Sequence, residues 1–433
     1  MSSGPQETQR EMSVEIHPDT DIAQLFQKNR FEQIEAALKD GNLPAVRRLA
    51  MAVRAEYVDV HDGFRDAVAL TLAYVANNFG SDVADRIGQL DVQKRLSGGE
   101  LPPYGQQDIR QKIRGIAAGW HWHATRFSLS EDEEKVTFLL HPCGSGMRLI
   151  TEGNYLRGPW GPPEAGSSNP RLTRSKAASW STFMNEQFPV YCNHCSEISH
   201  VGLANGNATF LVEGWTPARK RGLCVQHSFK HAALVPDEFY RRADLPVPTQ
   251  RLPVKAGRLF SQEELIDIET HPLDKLIARA ERGDVTGARP MLDECLIGWR
   301  DCIHDAYRRW LSSLWLHIHQ ILGPKSHEEV IRETAPALLA HARGADALGW
   351  ASFWSIHLGL VSISRNKSGY EFFVRSETLL EPGDLPCEPR WFVERLNEGL
   401  EKRQWTDVGQ IRYRNELLVH TGIRLPLDIA RSS

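Results

Sequence analysis

Cys143, Cys192, Cys195 and Cys224 lie in the stretches HPCGSGMR, YCNHCSE and GLCVQHSFKH. His141, His194, His200, His227 and His231 crowd the same stretches. Thiolates and imidazoles at such spacings are the donors that hold tetrahedral zinc. Two residues between Cys192 and Cys195 let both sulfurs reach one ion at ~2.3 Å from a tight turn. Cys224 and His227 extend this to a Cys-x2-Cys…Cys-x2-His pattern. The expected ligands are Cys143, Cys192, Cys195 and Cys224, with His227, His141 or His194 as the alternative fourth. Cys143 stands in PCGSG, where the glycines free backbone amides to hydrogen-bond a thiolate. A shell of four thiolates quenches the Lewis acidity of Zn2+ and makes it structural. Three ligands plus water would instead give a hydroxide near neutral pH.

Other side chains nearby could move protons or hold a substrate. His121 and His123 sit two apart in GWHWHATRF and would face one side if that stretch is extended. His123 recurs later in the chain and is given a packing role. His121, which does not recur, is the catalytic candidate beside His141. Arg148, in GSGMRL, could clamp a carboxylate bidentately. His61-Asp62 and His304-Asp305 fall mid-helix, where adjacent side chains diverge by ~100° and do not face each other. One from each pair could still meet across an interface. The segment Cys192-Asn193-His194-Cys195 also resembles the Cys-x-His-Cys of thiol–disulfide oxidoreductases, whose first cysteine opens a helix. That resemblance implies redox use of Cys192 and Cys195. The following SEISHVGLANGN reads as strand and turn, which weighs against it.

The elements that must position these groups fall into a pattern. Residues 18–100 carry apolar side chains at helical spacing, Leu49, Val53, Val60, Phe64, Val68 and Leu72 among them. Residues 284–323 repeat the pattern. Gly41 matches Gly283 at an offset of 242, and His61-Asp62, Phe64, Leu72 and Gly80 match His304-Asp305, Tyr307, Trp315 and Gly323 at 243. Farther on, Trp120, His123, Phe127 and Leu129 match Trp354, His357, Val361 and Ile363 at 234. FSLS with VTFLLH, and VSIS with YEFFVR, each predict a hairpin. At the same offset Cys143 falls on Glu377, so the cysteine-rich block belongs to the first copy alone.

The expected fold is α+β: two degenerate helical-layer-plus-hairpin repeats with a zinc-binding β-rich insert in the first. Residues 1–17 form a disordered N-terminus and 18–140 the first repeat. Residues 141–242 form the metal-binding region with a long Gly/Pro/Ser-rich loop at 153–180. Residues 243–260 are a linker and 261–433 the second repeat, with helical patterns near 389–402 and 406–420.

Bulk properties exclude some classes. The net charge is −4, from 51 basic and 55 acidic side chains, so no basic field recruits nucleic acid. No stretch approaches the ~20 apolar residues of a membrane span. A polar N-terminus without the signature of a secretory signal, and an odd cysteine count, 7, point to the cytoplasm. The expectation is a zinc-containing enzyme acting on a small anionic molecule, a hydrolase or lyase. The alternatives are a non-catalytic zinc-stabilised protein-interaction module and a thiol redox protein.

Overall fold

The computed structural model describes residues 26–97, 108–151, 178–184, 188–213, 223–251, 253–343, 345–366, 369–379, 388–414 and 417–423. The N-terminal tail and nearly all of the loop expected at 153–180 lie outside the described residues.

Helix α1 (Arg30–Lys39) opens on a capping box, with the Asn29 side chain on Glu32 and the Glu32 side chain on the Asn29 amide. It ends at Gly41, whose φ of 64° reverses the chain. Asn42 then caps α2 (Leu43–Asn78) by accepting from the Ala45 amide. The middle of α2 is buried on all sides from Val60 to Ala73. Such a helix must be the centre of the molecule, and its polar residues His61, Asp62, Arg65 and Asp66 need partners inside it. Next come α3 (Ser81–Ser97), α4 (Ile109–Trp122) and the hairpin β1 (Phe127–Glu131) and β2 (Lys135–Leu140). α5 (Gly146–Thr151), α6 (Asn193–Ala204), β3 (Leu211–Val212), β4 (Cys224–Phe229) and α7 (Asp237–Arg242) complete the first half. The sheet is antiparallel with order β1-β2-β4-β3, and Phe138 faces Gln226 in its register.

In the second half α8 (Gln262–Glu269) precedes α9 (Pro272–Glu281) and α10 (Val285–Trp299). The α9–α10 junction has Gly283 at φ 74° and Asp284 capping α10 by accepting from the Gly287 amide. A π-helical turn at Arg300–His304 leads into α11 (Asp305–Leu322), followed by α12 (Pro324–Thr334) and α13 (Ala347–Ile356). A second antiparallel sheet has the order β5-β6-β8-β7. It contains β5 (Leu360–Asn366), β6 (Gly369–Arg375), β7 (Gln410–Arg414) and β8 (Leu417–Ile423), with α14 (Pro389–Lys402) between β6 and β7. Phe372 faces His420 in its register. One hydrophobic cluster runs through both halves from Phe26 to Leu418. A smaller one, with Leu211, Phe229 and Phe239, lies under the β3–β4 edge. The architecture is α+β. No described helix is long and apolar enough to cross a membrane.

Three local expectations differ from the structure. Residues 410–414 and 417–423 form the paired strands β7 and β8, where the expectation was a helical pattern near 406–420. SEISHVGLA belongs to the helix α6, with the hydroxyls of Ser196 and Ser199 turned back onto the carbonyls of Asn193 and Cys195. His121 lies in the last turn of α4 and His123 at its C-cap, so they do not share the face an extended segment would give them.

The loop after β2 passes tightly over the end of α4. A Cβ on Gly144 would stand 1.4 Å from the His123 carbonyl oxygen. The Gly144 amide donates to Thr125 Oγ1 at 2.6 Å, not to a thiolate. Gly144→Ala is therefore expected to cost about 4 kcal/mol or more, the range of severe core lesions. Gly115→Ala, in α4 with nothing within 4 Å of its Cβ position, is expected to be neutral or stabilising by about 1 kcal/mol. Urea unfolding of the two variants checks the contrast.

Candidate functional site

The buried polar groups of α2 build the site outward from Asp62. Arg65 Nη1 lies 3.0 Å from Asp62 Oδ1, and Arg148 donates to Asp62 Oδ2. Burial alone would raise the Asp62 carboxyl, but Arg65, Arg148 and the His61 N–H outweigh it and hold it well below the usual range. Asp62 is therefore ionised and can only accept hydrogen bonds. His61 Nδ1 is 2.9 Å from Asp62 Oδ1, so Nδ1 carries the proton. This overturns the expectation that helix neighbours cannot pair. The Cβ directions diverge, yet the carboxylate and imidazole tips bend back to touch.

The rest of the wiring follows from that proton. Burial lowers His61 to about 4, leaving it neutral with a lone pair on Nε2. His123 Nδ1, at 3.0 Å, must then donate to His61 Nε2. Its own Nε2 is left as an acceptor, with no hydrogen-bond partner among the described residues. His123 is half-buried and its exposed edge lines a cavity of about 150 Å³. Burial and the adjacent His61 hold His123 well below the usual imidazole value, so it enters the cavity unprotonated.

Hydroxyls converge on the same wall. Ser145 Oγ lies 2.7 Å from Tyr191 Oη, which lies 3.0 Å from Tyr307 Oη. Tyr307 Oη approaches His123 Nδ1 at 3.5 Å, and its ring meets those of His61 and His123 edge-on. Burial pushes Tyr307 up to about 12 and Tyr191 well above its ordinary value, so both stay protonated. Ser145 reaches this position because it is flanked by glycines. Gly144 clears the His123 carbonyl, and a Cβ on Gly146 would come within 2.4 Å of Cys192 Sγ. Much of the remaining wall is apolar, with Ile116, Trp120, Ile198, Phe210 and Trp310. Arg95 and Arg309 also line it, and no carboxylate does among the described residues. Arg95 is paired to Asp91 at 2.8 Å and lies over the Trp310 ring.

A second set of side chains has the same wiring. His304 Nδ1 is 3.1 Å from Asp305 Oδ1, and His304 Nε2 is 3.1 Å from His357 Nδ1. Here Phe64 meets both imidazoles edge-on, where Tyr307 meets the first pair. His357 Nε2 is buried with no hydrogen-bond partner among the described residues. The first series of bonds ends in a cavity and the second ends in packed protein.

The expected catalytic residues do not meet. His121 is buried, with Nε2 2.8 Å from the Ile268 carbonyl and its ring against Phe127 and His271. His141 is exposed beside Ser128 at the end of the hairpin. Arg148 engages Asp62, inside the protein, where a substrate carboxylate was expected to sit. Among the described residues no three His, Cys, Asp or Glu side chains are grouped as a metal ion requires. Cys143, Cys192, Cys195 and Cys224 are all buried. Cys224 stands in the sheet opposite Leu140, while Cys192 caps α6 with Cys195 in its first turn. His227 spends both ring nitrogens on Thr137 and Glu213, at 3.0 and 2.9 Å. Sequence reasoning did not single out Tyr191 or Ser145. The one signal for Tyr307 was its match to Phe64, a difference of a single hydroxyl.

No protein-family model, curated protein or solved structure matches the chain.

Proposed function

We propose that this chain is an enzyme acting on a small anionic molecule, as a hydrolase or lyase, in the cavity beside His123. The observation that carries the reading is the unbroken series Asp62–His61–His123, whose last imidazole lines the cavity and is held unprotonated. A proton taken by Nε2 would be stabilised through His61 by the Asp62 carboxylate, the logic by which a buried acid supports a catalytic imidazole. Tyr307, protonated and beside the ring, is placed to return a proton or bind a developing oxyanion. Arg95 and Arg309 favour a negative group, and the aromatic wall favours an apolar body. A volume of about 150 Å³ limits that body to roughly the size of one aromatic ring. Burial of the tryptophans supports this reading over a protein-interaction module: no described tryptophan is exposed.

We further propose that the halves are degenerate copies of one unit. The supports are the two sheets of like order, the Gly41/Asn42 and Gly283/Asp284 junctions, and the two His–Asp–His series. The offset steps from 242 to 243 before His304, and a π-helical turn is how one extra residue enters a helix. Thr125 beside Gly144 becomes Gly359 beside Thr378, a swap that keeps one side chain in the same space. In this reading the second copy lost its cavity while its Tyr307 came to serve the first.

The test begins with a screen of small carboxylates and phosphate esters for thermal stabilisation, followed by turnover assays on those that bind. His123→Gln is expected to lower kcat by about 10²- to 10⁴-fold, the usual contribution of a general base. His357→Gln should leave kcat unchanged. Equal activity of wild type and His123→Gln on an identified substrate would end the proposal.

A further inference from the structure

We infer that the cavity beside His123 takes a planar aromatic anion, whose ring occupies the place that the Phe353 side chain fills in the second half; this rests on the function proposed above and names its substrate class. His123 stands at the C-cap of α4 and His357 at the C-cap of α13. The residue four before each is Gly119 in one case and Phe353 in the other. Both histidine amides donate to those residues' carbonyls, at 3.0 and 3.2 Å, so the helical relation is the same. Side chains four apart on a helix share a face. The Phe353 ring accordingly lies against His357, with centroids 4.6 Å apart and planes at 63°. The neighbouring tryptophans keep the same places. Trp120 lies 5.8 Å from His123 at 51°, and Trp354 lies 5.8 Å from His357 at 43°.

Gly119 is the difference between the two settings. It lines the cavity, and nothing stands within 4 Å of the position its Cβ would take. Its backbone is helical without a positive φ, a conformation open to any residue. Neither conformation nor packing therefore requires glycine here, and glycine weakens a helix interior relative to alanine. What the missing side chain leaves is space beside His123. In the second half the matching space is full, because Phe353 is buried there between His357 and Trp354. In the first half it is open, with about 150 Å³ free. An apolar cavity of about that size accepts a benzene ring.

The rest of the wall suits such a guest. Trp120 and Phe210 stack at 6.0 Å on one part of it, and Tyr307 and Trp310 lie 5.5 Å apart on another. Ring faces and edges of this kind hold a further ring by offset or edge-on contact. Arg95 and Arg309 supply the positive charge that an anionic substituent needs. A guest ring held against His123 as Phe353 is held against His357 brings its substituents beside the imidazole that moves the proton. The class is therefore single-ring aryl carboxylates and aryl phosphate esters.

The probes are benzoate and phenyl phosphate, titrated calorimetrically into the full-length chain. Acetate and inorganic phosphate serve as ringless counterparts, and cyclohexanecarboxylate as a ring that is not flat. The aryl probes should bind about tenfold tighter than these, or better. Gly119→Ala should weaken aryl binding about tenfold and Gly119→Phe more than about a hundredfold, the range for misplaced methylenes in a fitted pocket. The melting temperature of Gly119→Ala should stay at or above that of wild type, which separates lost binding from lost folding. The inference is overturned if the aryl probes bind no tighter than the others, or if folded Gly119→Phe binds them as wild type does. Should Gly119→Phe not fold, undiminished affinity in Gly119→Ala overturns it just the same. Turnover of a ringless substrate through His123 would overturn this inference and leave the proposed function standing. Aryl binding without any turnover that depends on His123 would do the reverse.

Discussion

Asp62→Asn is expected to destabilise the protein by about 3–5 kcal/mol, the cost of breaking a buried ion pair from one side. Asp62 is 4% exposed, and the two guanidiniums it balances, Arg65 and Arg148, are 0% and 6% exposed. Without its charge Arg65 keeps only Asp66, at 2.9 Å, and Arg148 is left beside a neutral amide. Net stabilities of proteins are about 5–15 kcal/mol, so this one atom change removes a large fraction. Asp305→Asn makes the same change in the second series, where the Asp305 side chain is 25% exposed and Arg308 stands 3.5 Å away. There the expected loss is about 1 kcal/mol, as for a partly solvated pair. Urea denaturation of both variants decides the matter, and equal midpoints would show that the Asp62 cluster does not carry the centre of the fold. Should Asp62→Asn fold, it still tests the proposed chemistry. The new amide can donate to His61 Nδ1 and reverse the tautomer, which in a comparable triad lowers kcat about 10⁴-fold.

Much of this arrangement was legible as pattern before it was legible as function. The apolar periodicity of α2 and α10–α11 and the alternation in both hairpins set most of the framework. The recurring His-Asp dipeptides and His123/His357 marked the residues of both wired series. The recurrence of His123 argued for packing, because spacing along one chain does not show which imidazole reaches a cavity. That difference is made by Tyr307 against Phe64 and by Ser145, whose glycine neighbours admit it between His123 and Tyr191.

The cysteines show a different limit. Cys-x2-Cys serves a metal knuckle and a helix-start dithiol equally well, and the choice depends on the residues that follow. SEISHVGLA has weak helix formers, and α6 is secured by tertiary contacts such as Asn193 on Asp85 that local sequence does not report. The β7–β8 hairpin failed for a related reason. Its alternation, with Ile411 inward and Gln410 and Arg412 outward, is short enough to be mistaken for a helical stripe.

Acidification is expected to unfold the chain well before its carboxylates are neutralised in bulk. In the unfolded chain an imidazole takes up its proton near ~6.5. In the fold, burial holds His61, His121, His327 and His420 at about 4, and keeps His123, His271, His304 and His357 below their ordinary value as well. Between those values the unfolded state binds more protons, so stability that is complete above ~6.5 is lost as the pH falls toward ~4. For a shift of that size the loss is up to ~3 kcal/mol per imidazole. Burial raises Asp59 to about 6 and also raises Asp85, Asp91 and Glu197, which act with the opposite sign, losing stability as the pH rises. His341, raised by its bond to Asp66 despite burial, stabilises the fold below ~6.5 and loses that contribution as the pH climbs through its folded value. The lowered imidazoles outnumber these groups, and the net slope follows them. Urea midpoints from pH 8 to pH 4 should therefore hold steady and then fall steeply below ~6.5. A flat profile would refute the assignment. His420→Gln isolates one contribution, because glutamine can still accept from Trp354 Nε1 and donate to the Val408 carbonyl, the two bonds His420 makes. Gln226 accepts from Trp120 in the first sheet in the same way. The variant should match wild type near pH 8 and be more stable than wild type by up to ~3 kcal/mol near pH 4, since it removes one proton from the unfolded state's advantage and leaves the packing in place.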